Sequence, residues 1–344
     1  ESSFCVTSLV ASGLLSSIEC LRKDIGKAKT KEYGEIVEPL ISFTKENDES
    51  HGIISNHMAT AALALLQWTE FSKETDAENK SRDLIDRILA KQSDEGWYEE
   101  YGGADPGYQT LSMDYLAEVY SKTKNEALKV SLGKSLDFLL HFAHPDGSFG
   151  GLYGSRNTRF YYPSGILSLT RDFDEAASLS RQMSSSIYQT KVPTLSCIDE
   201  PNLIPMFNSY ASAADSFETS HKWLKKSQDV PSKSKVSTKK IIQFKDAGIY
   251  IRKTQSTYTI INLQKGGLFY HFKGETLSDF NPGSCVVYGK DRIATTQHLG
   301  SLETLEINGD KITLVSNYHK ISKRNFNPLY FIALRILSFF LFNS

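Results

Sequence analysis

Ala143-His144-Pro145-Asp146-Gly147-Ser148-Phe149 is a second version of Gln92-Ser93-Asp94-Glu95-Gly96-Trp97, and each closes a pair of helix-length apolar patterns. Around these two phrases Phe4, Asn56, Tyr108 and Tyr161 stand at or near alternate helix starts, about 52 residues apart. A helix pair repeating at that period is the mark of a ring or solenoid of helical hairpins, because each pair buries its apolar face only against its neighbours. Equivalent helix starts then fall on one face. Asn56, Tyr108 and Arg156, distant in sequence, are therefore expected to line one cleft.

Apolar residues recur at helical spacing from Phe4 to about Phe217, and glycine, proline or charged clusters break them into segments. The spacing predicts helices over 4–21, 31–45, 56–72, 77–91, 108–122, 125–142, 164–170, 174–189 and 202–217. A stretch over 220–240, dense in Ser and Lys with Asp229 and Pro231, reads as an interdomain linker. Beyond it the period becomes two. Strands are predicted over 241–244, 248–252, 257–263, 268–272, 284–288, 292–296, 302–307 and 311–316, parted by turns such as Lys265-Gly266-Gly267, Asn281-Pro282-Gly283 and Asn308-Gly309-Asp310. The expected fold class is multidomain α+β. It comprises an incomplete (α/α) toroid of helical hairpins over 1–219, the linker, and an antiparallel β-sandwich over 241–344, cut short at its C-terminus.

The 344 residues are 40% hydrophobic and 23% charged, which is ordinary for a soluble globular protein. A formal net charge of -1 gives no global pull toward nucleic acid or acidic lipid, so anion recognition has to be local. The lysines between Lys222 and Lys240 are interspersed with Ser and Asp and read as solvated; no nucleic-acid partner is expected. Cys5, Cys20, Cys197 and Cys285 are scattered without a CxxC pair and read as free thiols, with a Cys5–Cys20 bridge left open. No phosphate loop, GxSxG, HExxH, zinc-spaced Cys/His cluster or aspartate-rich diphosphate motif is present, and no metal or cofactor is expected. The apolar run over 329–342 is interrupted by Arg335 and short for a bilayer, so it reads as a terminal element and no membrane span is expected. The chain begins at Glu1 inside a helical pattern. Localisation is thus secreted or periplasmic if a signal peptide has been removed, otherwise cytoplasmic; oligomeric state is unconstrained.

The chemistry-bearing residues converge on the loop Gly147-Ser148-Phe149-Gly150-Gly151-Leu152-Tyr153-Gly154-Ser155-Arg156-Asn157-Thr158-Arg159-Phe160-Tyr161-Tyr162-Pro163. Glycines, rings and two arginines suit a ligand that is polar, ringed and anionic, and the planar fork of arginine suits a carboxylate. Ser55-Asn56-His57 opens a helix, where Ser55 or Asn56 suits an N-cap and the first-turn N–H groups favour an anion. One repeat later the same place holds Tyr108, after Glu99-Glu100-Tyr101-Gly102-Gly103-Ala104-Asp105-Pro106-Gly107. Trp97, Tyr101, Tyr153, Phe160, Tyr161 and Tyr162 offer stacking faces for sugar rings.

The helical repeat with Asn56-His57 at one helix start, the phrase Asp94-Glu95-Gly96-Trp97-Tyr98-Glu99 leading to Tyr108 one repeat later, and the strands that follow resemble heparinase II/III-type polysaccharide lyases. The loop carrying Ser155-Arg156-Asn157-Thr158 is similar to that of uncharacterised relatives with this fold. The resemblance implies β-elimination on a uronic-acid-containing polysaccharide, such as a glycosaminoglycan. Asn56 and His57, with Arg156, would neutralise the carboxylate and stabilise the enolate-like dianion, Tyr108 would be acid and base, and His271 a second base. Trp97, Glu100, Tyr101, Asn157, Arg159, Tyr161 and Tyr162 would be substrate contacts, and the partner an acidic polysaccharide or oligosaccharide. The chain departs from the family around His271, which stands in Gly266-Gly267-Leu268-Phe269-Tyr270-His271-Phe272-Lys273-Gly274 without the neighbouring His and Asp. Two other readings stay open: a glycoside hydrolase using two of Glu99, Glu100, Asp105 and Asp146, and a carbohydrate-binding or assembly protein without activity.

Overall fold

Some helices are buried almost all round and others along one stripe, and that contrast sets the architecture. The computed structural model describes residues 3–198, 200–226, 240–289, 292–309 and 311–321, with 328–329, 332 and 335–337 near the C-terminus. The helices are α1 (Phe4–Glu46), α2 (Ser55–Ser72), α3 (Thr75–Lys91), α4 (Pro106–Thr123), α5 (Glu126–Leu139), α6 (Pro163–Ser168, running into a 3-10 turn), α7 (Asp174–Tyr188) and α8 (Glu200–Lys226). In α2 nearly every residue from Ser55 to Trp68 is buried, which its short Ala side chains permit. In α3 only Ala77, Ser81, Leu84, Ile85 and Ile88 are buried, one stripe at helical spacing with charged residues opposite. Burying each of Leu84, Ile85 and Ile88 stabilises the packing by about 2 kcal/mol.

The helices pack in two rows. α1, α2, α4, α6 and α8 each contact the next, while α3 packs on α2, α5 on α4 and α7 on α6. The helices predicted over 4–21 and 31–45 run together as α1, broken by Gly26 at φ 74° and ψ 170°. Its first half is long and apolar enough, by composition alone, to cross a bilayer; here Phe4, Ala11, Leu15 and Ile18 turn into the core. Side-chain caps start α4 and α5. Asp105 accepts from Tyr108 N with Pro106 in the first turn of α4, and Asn125 accepts from Leu128 N at the start of α5.

The strands are β1 (Lys240–Phe244), β2 (Ile249–Lys253), β3 (Thr257–Asn262), β4 (Leu268–Lys273), β5 (Thr276–Asn281), β6 (Cys285–Tyr288), β7 (Arg292–Thr295), β8 (Leu302–Asn308), β9 (Lys311–Ser316) and β10 (His319–Ile321). β1 to β5 form one sheet in sequence order, β10-β7-β6 a second, and β8-β9 a hairpin, with the described pairings antiparallel. Alternation along β3 and β4 puts Tyr258, Ile260, Tyr270 and Phe272 on the buried face and Thr259 and His271 on the other. Aromatic contacts hold the sheet to the end of α5 and the loop after it. Phe244 packs on Phe138 and Phe142, and Tyr258 and Phe272 pack on His144.

By contact the chain divides into two units, Glu1–Asn262 with Phe269–Asn281, and Leu263–Leu268 with Pro282–Ser344. That division falls elsewhere than the expected boundary at 219–241, because strands of the first sheet and the turn after β1 meet Phe138 of α5 and the loops that follow α3 and α5. The expected linker is helical through Lys226, and 227–239 lie outside the described residues, as does most of the apolar run over 329–342.

Candidate functional site

The starts of α2 and α4 and the loop after α5 meet around a buried carboxylate. Glu100 accepts from Asn56 N at 2.9 Å, Asn56 Nδ2 at 2.7 Å and Ser112 Oγ at 2.8 Å. Burial pushes its carboxyl up to about 8, against those hydrogen bonds. Two expectations meet this geometry. Asn56 is buried and turns one of its amide N–H groups to Glu100, and Glu100 is 0% exposed, with no face open to a ligand in this structure. The N-cap of α2 is Ile54, which has no side-chain cap bond; the Glu100 carboxylate takes the orphan Asn56 N–H instead.

His57 sits next to this, on the part of α2 that stays half-exposed. Its Nδ1 meets Glu49 Oε2 in a short contact, and its Nε2 lies 3.3 Å from the Tyr101 hydroxyl. Burial lowers the His57 pKa, opposed by Glu49. Burial also works to raise Glu49, but hydrogen bonds from His57 and His51 prevail and hold it below the usual carboxylate range. Tyr101 adopts φ 56°, a left-handed conformation that costs a bulky residue on the order of 1 kcal/mol. The Arg156 guanidinium lies 4.3 Å over its ring, Tyr108 packs 5.8 Å from it, and Phe160 meets Tyr108 edge-on.

Asp105 stitches the loop to α4. Besides capping Tyr108 N, it accepts from Arg156 N at 2.8 Å and from the Thr158 hydroxyl in a short contact. Burial raises its pKa against these bonds. Gly150 lets the loop close: at φ 62°, a Cβ there would strike the Thr158 carbonyl. Arg156, Asn157 and Arg159 are left exposed at the loop's crest, with Arg159 donating to the Tyr270 hydroxyl at 3.1 Å.

His57, Tyr101, Tyr108 and Arg156 thus come together, with Asn56 behind them. Other expected residues lie apart from this cluster or have no free face. His271 bonds Thr259 Oγ1 at 2.7 Å on the opposite face of β4 from Tyr270. Tyr161 stacks on Phe149 and Tyr162 is 2% exposed, so neither offers a ring to a sugar; Tyr153 is buried too. Trp97 donates to Glu95 at 3.1 Å and stays half-buried. Of the carboxylates considered for hydrolysis, Glu100 and Asp105 are occupied as described, and Asp146 accepts from Ser148. Sequence reasoning missed Glu49, hidden in the polar run Lys45-Glu46-Asn47-Asp48-Glu49; Cys5, expected as a free thiol, is one, and burial pushes it up to about 12.

No family model matches the sequence, and no curated protein matches it. Among solved structures, the chain is similar to the Lin0763 protein from Listeria innocua, with a TM-score of 0.47 and 11% identity over 67% of this chain and 74% of that one. It is also similar to a polysaccharide lyase, with a TM-score of 0.44 and 11% identity over 72% of this chain and 80% of that one.

Proposed function

We propose that the chain is a polysaccharide lyase of the heparinase II/III-like type, cleaving a uronic-acid-containing polymer by β-elimination on an (α/α) toroid followed by β-sheet. The observation that carries this reading is the exposed guanidinium of Arg156 seated on Tyr101, with Tyr108 and His57 in the same cluster. β-Elimination needs those roles: a cation for the carboxylate, whose charge otherwise opposes loss of the α proton, and phenol groups that take and give protons. Arg156 is the carboxylate ligand, Arg159 and Asn157 extend the anion-binding track along the loop, and Tyr108 protonates the leaving glycosidic oxygen. Asn56 supports the cluster through Glu100. The partner is an acidic polysaccharide or oligosaccharide.

A binding protein without activity is the second reading, favoured by His271 facing away from Tyr270. Ultraviolet absorbance of the protein mixed with a panel of uronate polysaccharides separates the two. An absorbance rise that Tyr108→Phe lowers about a hundredfold in rate supports the lyase. Binding that depends on Arg156, with no rise on any polymer, supports the binding protein.

A further inference from the structure

We propose that Tyr101, rather than Tyr108, takes the proton α to the substrate carboxylate, and that Glu49 and His57 are the positioning residues that ready it; this rests on the elimination reading. The geometry is a chain of three groups. Glu49, its side chain 2% exposed, engages Nδ1 of His57, which places the ring proton there and leaves a lone pair on Nε2, 3.3 Å from the Tyr101 hydroxyl. A hydroxyl that can pass its proton to a ring nitrogen can take another from carbon at the same moment. Tyr101 needs such an acceptor, because burial, with Tyr108 and Glu100 against Arg156, pushes its phenol up to about 12. Burial lowers the His57 pKa, and the Glu49 carboxylate on Nδ1 opposes that and strengthens the free Nε2 as an acceptor. The groups facing the pair are Glu49 and His51 around His57, and Tyr108, Arg156, Glu100 and Cys5 around Tyr101. The left-handed backbone at Tyr101 is strain held beside the same contacts.

The step balances. As the α C–H bond breaks, its proton goes to the Tyr101 oxygen and the Tyr101 proton goes to Nε2 of His57. The C–H electron pair becomes the new C=C bond, the β C–O bond breaks, and its electron pair leaves on the glycosidic oxygen, which takes the Tyr108 proton. His57 then holds one proton more and Tyr108 one fewer, and exchange through water restores both. The imidazolium formed in between faces Glu49, which stabilises it.

Two measurements test this, and they fail separately. The first needs no substrate: side-chain nitrogen NMR of His57 in the whole chain. A neutral ring protonated on Nδ1 is expected, with the Nε2 resonance shifting in Tyr101→Phe and the tautomer preference weakening in Glu49→Gln. An imidazolium at neutral pH, or a proton on Nε2, overturns the relay whatever the activity. The second uses a polymer that yields unsaturated product. Tyr101→Phe is expected to lower kcat about a hundredfold with little change in KM, and Glu49→Gln to move the acid limb of the kcat profile. If Tyr101→Phe keeps its kcat while Tyr108→Phe abolishes turnover, the relay falls and the lyase reading stands. If the wild type yields no unsaturated product from any polymer while His57 shows the expected tautomer, the elimination reading falls and takes the role of Tyr101 with it.

Discussion

Glu100 shows how a single carboxyl can be both a structural pin and a source of pH dependence. Its pKa of about 8 in the fold stands above the ordinary value of 4.5, so the folded protein holds a proton that the unfolded chain releases. The stability it contributes is fully present below about 4.5 and is lost as pH rises through about 8. Glu100→Gln cannot ionise, and should gain on the wild type by on the order of a few kcal/mol between pH about 5 and 9. Thermal melts of both proteins across that range check this; parallel curves would mean that Glu100 ionises in the fold as freely as in water. Partly buried His57 and His141 and buried His144 act in the opposite sense, losing stability as pH falls below about 6.5, and they are common to both proteins and cancel in the difference.

The loop carrying Arg156 owes its place to α4, because the Asp105 carboxylate that caps the helix also holds the loop backbone. Asp105→Ala therefore removes more than a cap. A lost cap alone costs about 1 kcal/mol, and leaving the Arg156 N–H and the Thr158 hydroxyl without their acceptor raises the expected loss to about 3 kcal/mol. Urea unfolding measures it, and a loss of only about 1 kcal/mol would show that the loop does not depend on this carboxylate. The sequence made the elements legible but not this coupling. Periods of 3.6 and 2 placed the helices and most strands, while β5 escaped because Thr276, Leu277, Ser278, Asp279 and Phe280 are exposed on both faces and show no alternation. From the repeat Asn56, Tyr108 and Arg156 are expected on one cleft; Tyr108 and Arg156 do meet around Tyr101, while Asn56 turns to Glu100 and its neighbour His57 reaches the cluster. The repeat could not show that Glu49 would turn inward from a charged run, or that Asn56 would find a buried carboxylate, since both depend on which distant groups arrive beside them.

The change of period after residue 240 marks where helix gives way to strand, and that need not be where one folding unit gives way to another. β1 to β5 belong by contact to the helical unit, joined through Phe244, Tyr258 and Phe272, whose rings meet Phe138, Phe142 and His144. Pairings between aromatics so far apart in sequence leave no trace in local periodicity. All of the candidate site, from Cys5 to Tyr270, lies in that first unit. A chain ending at Asn281 keeps the five-stranded sheet, and of the second unit it keeps only 263–268, the connector between β3 and β4 with the first residue of β4. It should fold with its helical circular dichroism intact and bind an acidic polysaccharide as tightly as the full chain, whereas a chain ending near 219, at the change of composition, strips the sheet from Phe138, Phe142 and His144 and should unfold or aggregate. Comparing the two truncations by circular dichroism and polymer binding decides between a boundary set by contacts and one set by composition: survival of the shorter chain with the site's affinity unchanged would return the boundary to the Ser/Lys-rich stretch.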